Sequence, residues 1–173
     1  YSRYGGPEVL AFGEVRDPKV GPDAVLVKVR AAAVNPVDWK AREGYLDGIL
    51  APVFPVVPGW DVSGVVVQPG VSVTEFTVGD EVMGYVREDF LCRGTFAEYV
   101  AAPVRTLARK PRTLGFEESA ALPLVGLTAY QVLHQALAVR SGDTVLVHAA
   151  AGGVGSMAVQ IARHLGCRVI GAA

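Results

Sequence analysis

The chain is poor in the residues that make metal sites and disulfides. It holds three histidines and two cysteines in 173 residues. Cys92 and Cys167 form no C-x-x-C pair, so both read as free, packed thiols in a reducing cytosol. Basic runs are also missing. With a formal net charge of -1, binding to nucleic acid or to an anionic membrane surface has no compositional support. No apolar stretch approaches the ~20 residues that a membrane span needs. No secretory signal is visible. The first residue is Tyr1 rather than an initiator Met, so a few leading residues are expected before it. Repeats and low-complexity segments are absent.

Hydrophobic residues are plentiful, at 51%, enough for a sizeable core in one or two domains. The first two thirds read as β-rich. In Val25-Leu26-Val27-Lys28-Val29-Arg30 the valines share one face while Lys28 and Arg30 point the other way, the period of a half-buried strand. Val62–Val67 repeats the signal and Pro69-Gly70 comes next as a turn. Gly79-Asp80 turns into Glu81–Val86, and Gly94–Val100 reads as one more short strand. Short strands punctuated by Gly and Pro predict a small barrel or sandwich.

The texture changes near Gly115. Phe116–Ala121 carries two carboxylates where a helix start favours them, and Pro123 interrupts it. Leu127, Tyr130, Leu133, His134 and Leu137 then fall at helical spacing. After the turn Ser141-Gly142-Asp143, the run Val145-Leu146-Val147 suits a strand buried on both faces of a parallel sheet. A glycine loop comes after it. Met157, Ala158, Ile161, Ala162 and Leu165 form one apolar helix face, with Gln160, Arg163 and His164 opposite. Gly166 closes the helix and Arg168-Val169-Ile170 begins a second strand.

Strand, glycine loop, helix and strand in this order give the loop its meaning. Ala150-Ala151-Gly152-Gly153-Val154-Gly155 is the G-x-G-x-x-G fingerprint with Ala150 at its first position. Gly152 lets backbone approach a pyrophosphate, and Gly155 lets the helix pack close to the strand. The N–H groups of Gly153, Val154 and their neighbours at the helix start then face the anion.

HAAAGGVG, together with AAAVNPVDWKAREG, FPVVPGWDVSG, GDEVMGYV, GTFAEYV and ALPLVGLTAYQVL, resembles the zinc-independent quinone oxidoreductase (zeta-crystallin-like) branch of the medium-chain dehydrogenase/reductases. The resemblance runs from about Tyr4 to Ala173. It implies an α/β protein with a β-rich N-terminal part: a GroES-like β domain over residues 1–115, then linking helices and the first βαβ unit of a Rossmann domain over 116–173. One βαβ unit cannot cover both faces of a parallel sheet, so the sheet is expected to continue beyond Ala173. The second strand ends Gly171-Ala172-Ala173 without the carboxylate that grips an NAD ribose, which favours NADPH.

Zinc-dependent cousins carry Cys where Asn35 aligns and His-Glu where this chain has Trp60-Asp61. A catalytic zinc needs about three protein ligands, and His134, His148 and His164 all lie in the helical or Rossmann part. No metal is expected. Without a Lewis acid, hydride transfer suits a conjugated acceptor, a quinone or an α,β-unsaturated carbonyl, whose charge spreads into a phenolate or enolate. The resemblance places Asn35 beside the nicotinamide and Thr128 near its ribose and carboxamide. Lys40 and Tyr45 are candidate donors to the acceptor oxygen, although Tyr45 is offset by one residue from the tyrosine of enoyl reductase relatives. Asp38 is expected to orient its neighbours, and Trp60 to pack. A cytoplasmic homodimer is implied. Two rivals stay open: an enoyl-thioester reductase of polyketide or fatty-acid type, and a non-enzymatic NADPH-binding or structural protein.

Overall fold

A computed structural model describes all 173 residues, in two compact units, Tyr1–Ala121 and Leu122–Ala173. The first is built on strands β1 (Ala24–Ala33), β2 (Pro52–Val57), β3 (Asp61–Pro69), β4 (Glu81–Tyr85), β5 (Leu91–Arg93), β6 (Tyr99–Pro103) and β7 (Leu107–Arg109). Five form one sheet in the order β6-β1-β3-β4-β7, while β2 pairs with β5 apart from it. Every neighbour in the five-stranded sheet is antiparallel. The alternation in β1 works as its sequence predicts: Val25 and Val27 are fully buried with Val62, Val66 and Val82, while Lys28 and Arg30 are not. Phe76, Val86, Val100 and Ala102 complete this core. Each fully buried valine contributes about 1.5–3 kcal/mol.

Two residues, Val34 and Asn35, separate the end of β1 from helix α1 (Pro36–Arg42). Pro36 sets φ for the first turn, and Lys40 and Arg42 lie at the end where cations are favourable. Gly44 then takes φ +87° and lies against the Tyr4 ring. Residues 94–98 are not the strand that their sequence suggests; only Tyr99 and Val100 enter β6. The backbone N–H groups of Gly94, Thr95 and Phe96 instead donate to carbonyls of Val57, Gly59 and Pro58. A Cβ on Gly94 would sit 2.3 Å from the Pro58 oxygen, so the two loops meet backbone to backbone.

Helix α2 (Phe116–Ala120) packs on β1 and β3. The Phe116 ring has Arg30 at 5.7 Å and Lys110 at 5.2 Å from its centroid. Lys110 is tied down by Leu114 O at 2.6 Å and by Glu81 at 3.1 Å. Hence α2 belongs to the first compact unit, although its sequence texture matches that of the helices after it.

The second unit contains α3 (Pro123–Tyr130), a π-helical turn (Gln131–Ala136), β8 (Thr144–Val147), α4 (Gly153–His164) and β9 (Arg168–Gly171). Pro123 opens α3 at its first position, the place where a missing N–H costs nothing. β8 and β9 pair in parallel from Thr144↔Arg168 to Val147↔Gly171. Leu133, Val145, Val147, Ala162 and Cys167 form the core, but Leu146 and Ile170, paired on the other face, stay exposed. The run Val145–Val147 is thus buried on one face here. No helix is long and apolar enough to cross a membrane.

Candidate functional site

The glycine loop of the second unit is shaped by one close approach. A Cβ on Gly155 would fall 2.1 Å from the Ala149 carbonyl oxygen, so only glycine lets α4 start this close to the end of β8. Ala149 holds φ +50°, a left-handed conformation uncommon for alanine. The loop is pinned by Ala150 N–H to Ala172 O at 2.8 Å and by Gly152 N–H to Ala149 O at 2.9 Å. Gly152 precedes the helix with extended backbone, and Gly153, Val154 and Gly155 form its first turn. Their N–H groups have no acceptor within a helix that starts there. Side chains are absent at Gly152 and Gly153, so the backbone stands open. A dinucleotide pyrophosphate suits this donor set: backbone N–H groups at a helix start, no carboxylate and no bulk.

Thr128 lies on α3 and donates its hydroxyl to Leu124 O at 2.7 Å. That bond uses its proton and leaves the oxygen able to accept. His148 and His164 are exposed, and His134 lies against the Tyr130 ring at 5.0 Å.

In the first unit, Asn35 sits immediately before α1 and is 6% exposed. Its side chain does not cap the helix. Nδ2 donates to Asp61 Oδ2 at 2.9 Å, and the Asn35 backbone N–H donates to Asp38 Oδ2 at 2.7 Å. Asp61 opens β3 and is wholly buried, directly across from Ala33 on β1 and Tyr85 on β4. Burial raises the Asp38 carboxyl above its ordinary value, opposed by the backbone N–H groups of Asn35 and Gly59. Burial also raises the Tyr85 phenol; Arg87 opposes this, and the charges of Asp61 and Asp38 add to it. The Tyr85 ring meets the Trp60 ring edge-on at 5.9 Å. A recess of about 20 Å³ beside Asp38, walled by Trp60 and Cys92, has room for a water but not for a ring.

Lys40 and Tyr45 are held elsewhere on the same unit. The Lys40 ammonium lies 5.6 Å from the centroid of the Trp39 ring, and the Tyr45 ring meets that indole edge-on at 5.9 Å. Trp39 and Tyr45 are both exposed. The structure therefore joins Asn35 to Asp38 and Asp61, and joins Lys40 and Tyr45 to Trp39. Sequence reasoning overlooked Asp61 and Tyr85 as parts of the Asn35 cluster. Only the strand pairing brings them to it, and no spacing in the sequence signals that. No three His, Cys, Asp or Glu side chains gather as a metal-binding group.

The alcohol dehydrogenase GroES-like domain profile matches residues 21–112. The chain belongs to that family. It falls in the quinone oxidoreductase (zeta-crystallin-like) branch of the medium-chain dehydrogenase/reductases, as its relatives show. It is 44% identical over 170 residues to the 2-methylene-furan-3-one reductase of Solanum lycopersicum, covering 95% of this chain and 43% of that protein. With the chloroplastic NADPH-dependent alkenal/one oxidoreductase of Arabidopsis thaliana it shares 42% identity over 170 residues, 95% of this chain and 44% of that protein. The Escherichia coli quinone oxidoreductase complexed with NADPH superimposes with a TM-score of 0.87 at 30% identity, over 99% of this chain and 50% of that one. The chain thus spans about half the length of the relatives it matches.

Proposed function

We propose that the protein carrying this chain is an NADPH-dependent reductase of quinones or α,β-unsaturated carbonyls that works without a metal. The observation that carries the reading is the strand–glycine loop–helix start, where Gly155 brings the helix within reach of Ala149 O and Gly152 and Gly153 leave the backbone open. Relatives named as a furanone reductase and an alkenal/one oxidoreductase support the same chemistry. NADPH is favoured over NADH because Ala172 and Ala173 offer no carboxylate to the ribose diol. The boundary expected at residue 115 moves past α2, so Tyr1–Ala121 is assigned to acceptor handling and Leu122–Ala173 to the cofactor. A homodimer and a cytoplasmic location complete the reading, from family resemblance and cysteine usage.

When bound, the nicotinamide supplies the hydride. Gly152, Gly153, Val154 and Gly155 would hold the pyrophosphate through backbone N–H groups, with Ala150 shaping the loop. Thr128 would accept a hydrogen bond from the cofactor, since its own proton is given to Leu124 O. Lys40 and Tyr45 are the candidate donors to the acceptor oxygen. Such a donor acts in turnover, because charge develops on that oxygen only in the transition state. Asn35, Trp60 and Asp61 stand where zinc relatives carry ligands, which supports a metal-free route.

The test is turnover of the full-length protein with one small quinone and one enone at saturating NADPH, with and without EDTA. Both acceptors are expected to be reduced, at rates that EDTA leaves unchanged. Lys40→Met or Tyr45→Phe is expected to cut kcat on the enone by ~10²-fold if that residue is the donor. Failure to reduce either acceptor, or stoichiometric zinc with activity lost to EDTA, overturns the reading.

A further inference from the structure

Two large aromatic side chains stand in solvent around the end of α1. Trp39 is 43% exposed and Tyr45 67%, and their rings meet edge-on at 5.9 Å. The Lys40 ammonium lies 5.6 Å from the centroid of the same indole, within the range where a ring attracts a cation. The backbone fixes this group. Trp39 and Lys40 belong to α1, and Tyr45 is tied to the helix by its N–H to Lys40 O at 2.9 Å. Gly44, at φ +87°, makes the turn between them. Single exposed apolar side chains are ordinary on a protein surface, whereas touching rings rimmed by a cation form the kind of patch that receives a ligand or a partner.

We infer that Trp39 determines acceptor specificity: the Trp39–Tyr45 patch receives the hydrocarbon body of the acceptor beside the Lys40 ammonium, so the substrates are enones and quinones that carry an alkyl chain or a further ring. The inference rests on the functional reading above, narrows its substrate class, and concerns the first unit alone. Size and charge choose the occupant. At these exposures the two rings offer roughly 200 Å². That is well short of the ~800 Å² per partner of a stable protein interface, and it suits one small molecule. An acceptor has a carbonyl oxygen at one end, where hydride addition develops negative charge, and hydrocarbon at the other. A cation beside two rings complements that pattern. The smallest acceptors have no hydrocarbon to lay on the rings and leave them wet. An apolar body that leaves water gains equally in ground and transition states, so the preference belongs in KM rather than in kcat.

The test uses the full-length protein at saturating NADPH and a homologous series of enones, from 3-penten-2-one to 3-decen-2-one. In the wild type kcat/KM should rise about twofold per added methylene, as for a half-buried CH2, or roughly thirtyfold across the series. KM should carry the rise while kcat changes little. Trp39→Ala should cut the ratio between the longest and shortest enones to about fivefold or less, and Trp39→Phe, which keeps an aromatic body, should restore most of it. Phe12→Ser is the control, because Phe12 is an exposed ring on the irregular segment before β1; it should leave the ratio unchanged. Thermal melting confirms that each variant is folded. If Trp39→Ala does not fold, Trp39→Gln, which puts polar atoms on the patch, should lower the ratio in the same way. A wild-type ratio near one would overturn the inference. So would a ratio that Trp39→Ala or Trp39→Gln leaves intact, or one that Phe12→Ser lowers as far. A wild type that reduces neither these enones nor a small quinone would instead refute the functional reading, and the inference with it.

Discussion

In the first unit Val25, Val27, Val62, Val66 and Val82 keep no exposed surface, whereas in the second Leu146 and Ile170 keep 57% and 46% of theirs. The contrast arises from connectivity. Antiparallel strands build a five-stranded sheet whose core is complete within 121 residues. A parallel pair with its crossover helix covers one face, and the other stays bare. The tightest backbone approach in the second unit is at the glycine that seats α4.

The largest expected effect breaks the comparison at that point. Gly155→Val places a side chain against backbone, where even a Cβ would lie 2.1 Å from the Ala149 oxygen. The second unit should lose its structure, at a cost of at least about 3 kcal/mol, while the first keeps its hydrogen-exchange protection. Loss of protection in both units together would show that they fold as one. Next, Leu133→Ala removes the largest fully buried side chain and should cost about 2–5 kcal/mol by denaturant titration. In the same chain, Leu146→Ser should change stability by no more than about 0.5 kcal/mol. Equal losses at the two positions would mean that the bare face is covered.

A smaller effect sharpens the picture of the first unit. Burial holds the Asp38 carboxyl above its ordinary value of 3.8, with the N–H groups of Asn35 and Gly59 opposing. Above 3.8 and up to the raised value, the folded state keeps a proton that the unfolded state has lost. The contribution of Asp38 to stability is thus greatest below that window and declines as pH rises through it. Melts from pH 3.5 to 7 should show the stability of the wild type falling relative to Asp38→Asn across it. A rise would mean that the two N–H bonds outweigh burial.

Much of this arrangement is legible in the sequence where a signal is local. β1 shows because its valines alternate with charge, and the glycine loop shows because strand, loop and helix fall in one continuous stretch. Helix α1 is hidden because Asn35-Pro36 reads as a turn. β2 is hidden by Pro52 and Pro55. Residues 94–98 mislead because their backbone bonds go to another loop rather than to a ladder. At the candidate site, the loop glycines could be named from spacing alone. The partner that orients Asn35 lies 26 residues away in sequence, and Tyr85 reaches the cluster only through the pairing of β3 with β4. Lys40 and Tyr45 could be named, but not the fact that both rest on Trp39.

The most direct measurement is the NADPH Kd of the full-length protein and of Gly152→Val. Extended backbone at Gly152 tolerates valine, and its Cβ would meet only Ala149 O, at 3.3 Å. The fold should survive while the open backbone is blocked. Affinity is expected to fall at least tenfold, ~1.4 kcal/mol, with the melting of both units unchanged. Wild-type NADPH affinity in the folded variant would contradict the assignment of the glycine loop as the pyrophosphate cradle.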